Sequence, residues 1–194
     1  MREMLRLFLT IVIFSAVAGG LLATVRNGTQ ERIEFQQLVF VKGPTIQKIM
    51  EGAANNPVED SFRVSDRDTE RSIFVGEFDG KRNTVAIEAY GGGFGGDIGV
   101  IAAINVETDR IVGVGVTTHS ETPGVGSRIQ TEPSFSRQFK DLPVSDAFRV
   151  KADGGGIDAV SGATVSSRGV CAAVSEIADI YTRLKDRILA ELQS

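Results

Sequence analysis

Hydrophobic and polar positions change their rhythm along this chain, and each rhythm predicts an element. Residues 5–25 read LRLFLTIVIFSAVAGGLLATV, with Arg6 as the only charge. At about 1.5 Å rise per residue this run spans roughly 30 Å, the thickness of a bilayer's hydrocarbon core. A buried helix of a soluble protein would show a polar face, and this run has none. The run therefore predicts a retained membrane anchor over residues 1–26. A cleaved signal peptide competes with it, with Arg2 and Arg6 as the charged start and Ala16-Val17-Ala18 as the small-residue site. The apolar run continues past that site through Leu21 and Leu22, which favours the anchor. Asn27-Gly28-Thr29-Gln30 then reads as a short polar exit from the membrane.

Residues 27–194 read as one further domain, without repeats or low-complexity blocks. A short helix is expected over residues 45–54, with Pro44 before it and Asn55-Asn56-Pro57 after it. Residues 72–78 and 84–90 alternate apolar and polar positions, the period of a strand. Residues 98–106 and 110–117 read as a hairpin joined by Glu107-Thr108-Asp109. Pro133 opens a short helix through Lys140. Val170, Val174, Ile177, Tyr181, Leu184 and Ile188 recur every three or four residues, one face of a long helix from about Ser166. Strands first and a helix last predict an α+β fold: a single membrane helix, then a mainly antiparallel sheet and a long C-terminal helix.

Composition removes several function classes. Lys and Arg number 21 against 25 Asp and Glu, a net charge of −4, which argues against a nucleic-acid partner. The single Cys171 excludes an internal disulfide framework and a Cys-rich metal site, and the single His119 leaves no His cluster for a metal. Charge is nearly level across the apolar run, with Arg2 and Arg6 before it and Arg26 and Arg32 after it. The free N-terminal amine favours an N-terminus inside and the acidic bulk outside.

Four constellations hold candidate chemistry. Gly91-Gly92-Gly93-Phe94-Gly95-Gly96 contains G-x-G-x-x-G, but a strand follows it where a dinucleotide fingerprint needs a helix. It reads better as a flexible connection between strands that permits close backbone approach. His119-Ser120-Glu121-Thr122-Pro123-Gly124-Val125-Gly126 is either an ordinary Pro-Gly turn or a ligand-lining loop of hydroxyls, a carboxylate and pliable glycines. Cys171, early in the last helix, reads as a small packing residue. Asp158-Ala159-Val160-Ser161-Gly162-Ala163-Thr164-Val165-Ser166-Ser167 gathers hydroxyls where that helix begins and free amides favour a phosphate. The plainer alternative there is an N-cap formed by Ser166 or Ser167.

Asp158 to Thr164, DAVSGAT, resembles the flavinylation motif D-x-x-[ST]-G-A-[ST] of the FMN-binding domain family. The loop from Ser120 to Gly126, the Tyr90-Gly91-Gly92 turn and the single apolar helix extend that resemblance to the G-subunit family of Rnf complexes, redox-driven ion pumps linking ferredoxin and NAD. The family's glycine turn usually reads Gly-Tyr-Gly-Gly-Pro, whereas Ala89-Tyr90-Gly91-Gly92-Gly93-Phe94 stands here.

The resemblance implies an FMN-binding domain over residues 27–194. It implies an electron-transfer subunit carrying FMN, covalently linked by a phosphoester to Thr164 and installed by a separate flavin transferase. Ser161, Gly162 and Ala163 would lie at the cofactor, and Glu121, Thr122, Gly124 and Gly126 near the flavin ring. Asp158, with Ser161 to Thr164, would serve transferase recognition. No metal and no catalytic residue of the chain's own is implied, since flavin supplies the redox chemistry. The implied partners are the other membrane subunits of the complex, the transferase and membrane lipid. The implied location is a bacterial or archaeal inner membrane, with the flavin domain on its outer face. Two alternatives stand beside this: the related C subunit of the sodium-pumping NADH:quinone reductase, and a non-redox interaction subunit.

Overall fold

The apolar run folds as one helix, α1 (Arg2–Gln37), in a computed structural model that describes residues 2–67 and 69–193. Residues 2–30 form a helix long and apolar enough to cross a membrane, with none of its strongly apolar window buried. The expected polar exit at Asn27-Gly28-Thr29-Gln30 is itself helical. Thr29 keeps its hydroxyl inside the helix by donating to Val25 O at 2.8 Å, so a polar residue there does not end it. The first compact unit closes at Val39 and the second opens at Phe40. A π-helical turn, Leu38–Lys42, leads into α2 (Gly43–Ile49), which begins two residues before the expected start, with Pro44 in its first turn, and ends five residues early. Gly52 follows at φ +93°, a left-handed conformation that no helix accommodates.

Five strands follow as an antiparallel meander in sequence order: β1 (Ser61–Asp66), β2 (Thr69–Phe78), β3 (Lys81–Gly92), β4 (Asp97–Asn105) and β5 (Arg110–Thr118). Four were expected, and β1 was not. The β4–β5 turn forms at Glu107-Thr108-Asp109, where Asn105 Oδ1 accepts the Glu107 and Thr108 amides at 2.9 and 3.0 Å and Asp109 takes φ +53°. The glycine run divides: Gly91 and Gly92 pair with Ile98 and Asp97, and the remaining residues turn the β3–β4 hairpin. Helix α3 (Arg128–Thr131) and helix α4 (Pro133–Ser136) are single turns. The helix expected through Lys140 passes into a 3₁₀ turn, Arg137–Phe139. A second 3₁₀ turn, Lys151–Asp153, precedes α5 (Thr164–Leu192).

Helix α5 covers one face of the sheet. All six residues of its apolar stripe are buried, against Val85, Ile87, Val100, Ala102 and Ile104 of the central strands. Such burial contributes about 1.5–3 kcal/mol per large side chain and is the main term holding the layers together. Helix and sheet meet at backbone distance: a Cβ on Gly91 would collide with the Gly169 carbonyl, and one on Gly169 would lie 2.7 Å from Gly92 O. On the other face α2 lies against β4 and β5, where Gly113 and Gly115 leave room for Ile49 and Thr45.

Polar clamps fix α5 along its length. Tyr181 Oη and Lys185 Nζ both donate to Asp109 at 2.6 Å. Farther along the sheet, Asp66 is 5% exposed and accepts from Arg71 Nε at 2.7 Å and from two Arg183 nitrogens at 2.9 Å. The guanidiniums of Arg183 and Arg71 hold its carboxyl far below its ordinary value, against the opposing effect of burial. A carboxylate with a depressed folded pKa stabilises the fold above its unfolded pKa, and that contribution is lost as pH falls through the folded value. Asp66→Asn is expected to cost about 2 kcal/mol at neutral pH, allowing for partly exposed arginines. Thermal unfolding of the two proteins at a series of pH values checks this: the gap should shrink as pH falls below about 4.

Candidate functional site

Three segments far apart in sequence meet at the start of α5. The β3–β4 hairpin brings Phe94, the loop after β5 brings Glu121, Thr122, Val125 and Gly126, and the start of α5 brings residues 162–166. Together they line a cleft of about 380 Å³. Glu121, Thr122, Gly126, Gly162, Ala163 and Thr164 all line it. Gly124, Ser161 and Asp158 do not. Gly124 turns the loop at φ +72°, its amide donating to Ser127 Oγ at 2.9 Å. Ser161 is exposed and gives its carbonyl to Arg128 Nη1 at 3.1 Å. Asp158 lies outside the cleft, paired with Lys151 Nζ at 2.7 Å and held by Gln138 through both backbone groups.

Helix α5 begins at Thr164, two residues before the expected start. Its N-cap residue is Ala163, and no side chain caps it. Neither serine of the plainer reading serves as the cap. Ser167 Oγ donates to Ala163 O at 2.9 Å and accepts from Val160 N–H at 3.0 Å, closing the turn that leads into the helix. Ser166 Oγ donates to Glu121 Oε2 instead. The Ser167 amide bonds to Ala163 O at 2.9 Å, while those of Thr164, Val165 and Ser166 have no carbonyl partner among the described residues. These free amides at the positive end of the helix dipole are suited to an anion. The Thr164 side chain is half-buried, and among the described residues its hydroxyl has no hydrogen-bond partner.

Glu121 is the buried centre of the site, 5% exposed. Its Oε1 accepts the Gly95 amide at 2.8 Å and its Oε2 accepts the Ser166 hydroxyl. Burial alone would raise its pKa, but hydrogen bonds from Ser166, Gly95 and Phe94 prevail and hold the carboxyl below its ordinary value. Gly126 is a glycine for lack of space: a Cβ there would lie 2.6 Å from Glu121 Oε2. His119 Nδ1 accepts the Glu121 amide at 3.3 Å and Nε2 meets Gln130 Oε1 at 3.2 Å, so the ring braces the loop. Cys171 is buried, and burial followed by the Asp153 charge pushes its thiol up to about 11, an inert packing group.

The cleft's rim is apolar and exposed: Phe94 at 75%, Val125 at 46% and Val165 at 44%. Sequence reasoning does not gather Phe94, Val125, Val165 and Ser166 into one site. Single apolar residues in glycine-rich or helix-start segments give no periodic signal, so only the fold brings them together. A flat aromatic ring system fits between such walls, and a phosphate fits the free amides beside Thr164. These residues suit a flavin mononucleotide.

The FMN-binding domain family matches residues 93–179, a stretch that contains every residue lining the cleft. The chain is 36% identical over 180 residues to the G subunit of the ion-translocating oxidoreductase complex of Methanosarcina acetivorans, covering 92% of this chain and 94% of that one. It is 30% identical over 201 residues to the G subunit of the same complex in Pseudomonas aeruginosa (strain UCBPP-PA14), covering 97% and 94%. Its fold is similar to the crystal structure of Shewanella oneidensis NqrC, with a TM-score of 0.54 and 28% identity over 71% of this chain and 72% of that one.

Glu121→Ala would leave the Gly95 amide and the Ser166 hydroxyl without partners. It is expected to destabilise the domain by about 2 kcal/mol, read by denaturant unfolding, and to accelerate hydrogen exchange at the Gly95 amide.

Proposed function

The chain belongs to the family of G subunits of ion-translocating oxidoreductase complexes, and from that premise we propose that it is an electron-carrying subunit of an Rnf-type complex, a membrane-bound, redox-driven ferredoxin:NAD oxidoreductase. FMN is joined to it covalently, through a phosphoester to Thr164. The observation that carries the reading is the unpartnered Thr164 hydroxyl, placed beside three free helix amides on a cleft with an apolar rim.

Attachment is a phosphoryl transfer carried out by a separate flavin transferase on FAD. A bond forms between Thr164 Oγ and the FMN-side phosphorus, the bond from that phosphorus to AMP breaks, and the hydroxyl proton leaves. Thr164 needs no base of its own in this scheme. Asp158, with its side chain exposed and outside the cleft, suits recognition by the transferase together with Ser161 to Thr164.

Bound flavin supplies reversible electron transfer. The chain's part is to hold and orient it. The free amides at the start of α5 meet the phosphate charge, a dipole interaction of about 0.3–1 kcal/mol. Phe94, Val125 and Val165 exclude water from the ring, and Glu121 fixes the hairpin and loop that carry two of them. The isolated protein therefore has no substrate of its own: it passes electrons between neighbours in the complex. The apolar α1 anchors it, single-pass, in a bacterial or archaeal inner membrane, with the flavin domain on the outer face. The fold likeness to NqrC supports a second reading, the corresponding C subunit of the sodium-pumping NADH:quinone reductase. The match to the G subunits over nearly the whole chain favours the first.

Intact mass and in-gel flavin fluorescence after denaturation test the assignment on protein from its native membrane. The mass gain should equal one FMN less water and map to the peptide holding Thr164. Thr164→Val should lose the gain and the fluorescence while unfolding normally, and Thr164→Ser should keep both. An unmodified wild-type chain would leave the non-redox interaction subunit as the reading.

A further inference from the structure

Strand β5 is the last strand of the sheet, and among the described residues its outer edge is paired only by an isolated bridge between Arg110 and Pro143 at its start. Both ends of that edge are closed. Ile111 donates its amide to Leu142 O at 2.9 Å and accepts from the Asp141 amide at 2.8 Å, and Gln130 Nε2 covers Val116 O at 3.2 Å. Between these ends, residues 112–115 have no hydrogen-bond partner outside β4 among the described residues. Proteins normally cover or charge such an edge, because it templates the addition of another strand. The opposite edge is protected in this way: Arg187 Nη1 donates to Ser65 O at 2.8 Å, and Arg63 pairs with Glu70 at 3.6 Å.

The open stretch of β5 faces a cleft of about 680 Å³ between α2 on one side and α4 with its following 3₁₀ turn on the other. Lys48 lines it from the first wall, and Arg137 and Lys140 from the second, against the single carboxylate of Glu51. None of the three cations takes part in any of the ten ion pairs among the described residues. The chain's net charge is −4, so unpaired cations gathered at one place are not a general surplus.

We propose that this cleft docks an extended, acidic segment of a neighbouring polypeptide, which adds to β5 as a sixth strand. Its backbone pairs with residues 112–115, and its carboxylates meet Lys48, Arg137 and Lys140. Strand addition draws affinity from main-chain hydrogen bonds and specificity from alternate side chains, and this site offers an edge and a charge pattern together. A free anion or a lipid headgroup would meet the cations but leave the edge unpaired. The inference rests on the reading that the chain works inside a complex, and it is independent of flavin attachment.

Hydrogen–deuterium exchange on the full-length protein tests it, in the purified native complex and alone. The outward-facing amides among residues 112–115 should exchange about tenfold or more slowly in the complex, while those already bonded to β4 change little. The triple variant Lys48→Glu, Arg137→Glu, Lys140→Glu should abolish that difference and leave exchange along α5 unchanged, since all three side chains are exposed. A photo-crosslinking residue in place of Ser136 should form its adduct with an acidic stretch of another subunit. Equal exchange in both samples overturns the proposal, as does protection that survives the triple variant, or adducts with lipid or a second copy alone. Repeating the measurement on Thr164→Val keeps the two readings apart: protection there upholds docking whatever the flavin content, and its loss ties the edge to the flavin site and overturns the proposal as stated.

Discussion

A single buried carboxylate joins the parts of the site. Glu121 leaves solvent almost completely and takes hydrogen bonds from the hairpin backbone and from Ser166, forty-five positions later in the chain. An ionised group in that position is tolerated only because its donors are fixed around it. The dependence is mutual. The hairpin, the loop and the helix start hold one geometry because the carboxylate needs all three, and the glycines at 95 and 126 allow them to approach closely enough to reach it. The cleft beside Thr164 is the space left when that requirement is met.

The larger architecture is legible wherever one rhythm persists. Alternation marks β2 and β3, the Glu107-Thr108-Asp109 turn between two apolar runs marks the β4–β5 hairpin, and the three-four spacing marks α5 because one face meets the sheet. Strand β1 alternates as well, Ser61-Phe62-Arg63-Val64-Ser65-Asp66, but with only two apolar residues the mark is too short to read, and this edge strand is held by pairing with β2 and by Arg183 and Arg187 from α5. The ends of α2 and of the helix after Pro133 differ from expectation because a left-handed glycine and a 3₁₀ tightening, not composition, decide where those turns stop.

At the site, local chemistry is legible and long-range chemistry is not. The hydroxyl-rich DAVSGAT segment, the loop carboxylate and the glycine turn are all visible as residues of the right kind. Their grouping is legible only through family resemblance. Ser166 illustrates the limit. A serine near a helix start reads as a cap, yet its partner is a carboxylate from another loop, and the capping position belongs to an alanine that caps nothing. No window along the chain contains both members of that pair. The same is true of the cleft rim, which draws Phe94, Val125 and Val165 from three segments.

Helix α5 is held at Ser166 near one end, and at Tyr181, Arg183 and Lys185 toward the other. At about 1.5 Å per residue these ties span nearly 30 Å of helix, and each reaches a different part of the sheet or its loops. A residue on the first turn of such a helix sits on a stiff mount, as fixed as the sheet itself. Electron transfer depends steeply on separation, so a carrier fastened there has its distances to neighbouring redox centres set by how the whole domain is seated. Under the proposed attachment at Thr164 the tether would act as a ruler: repositioning the domain by rigid-body motion would switch electron flow between partners, while fluctuation of the attachment point would contribute little.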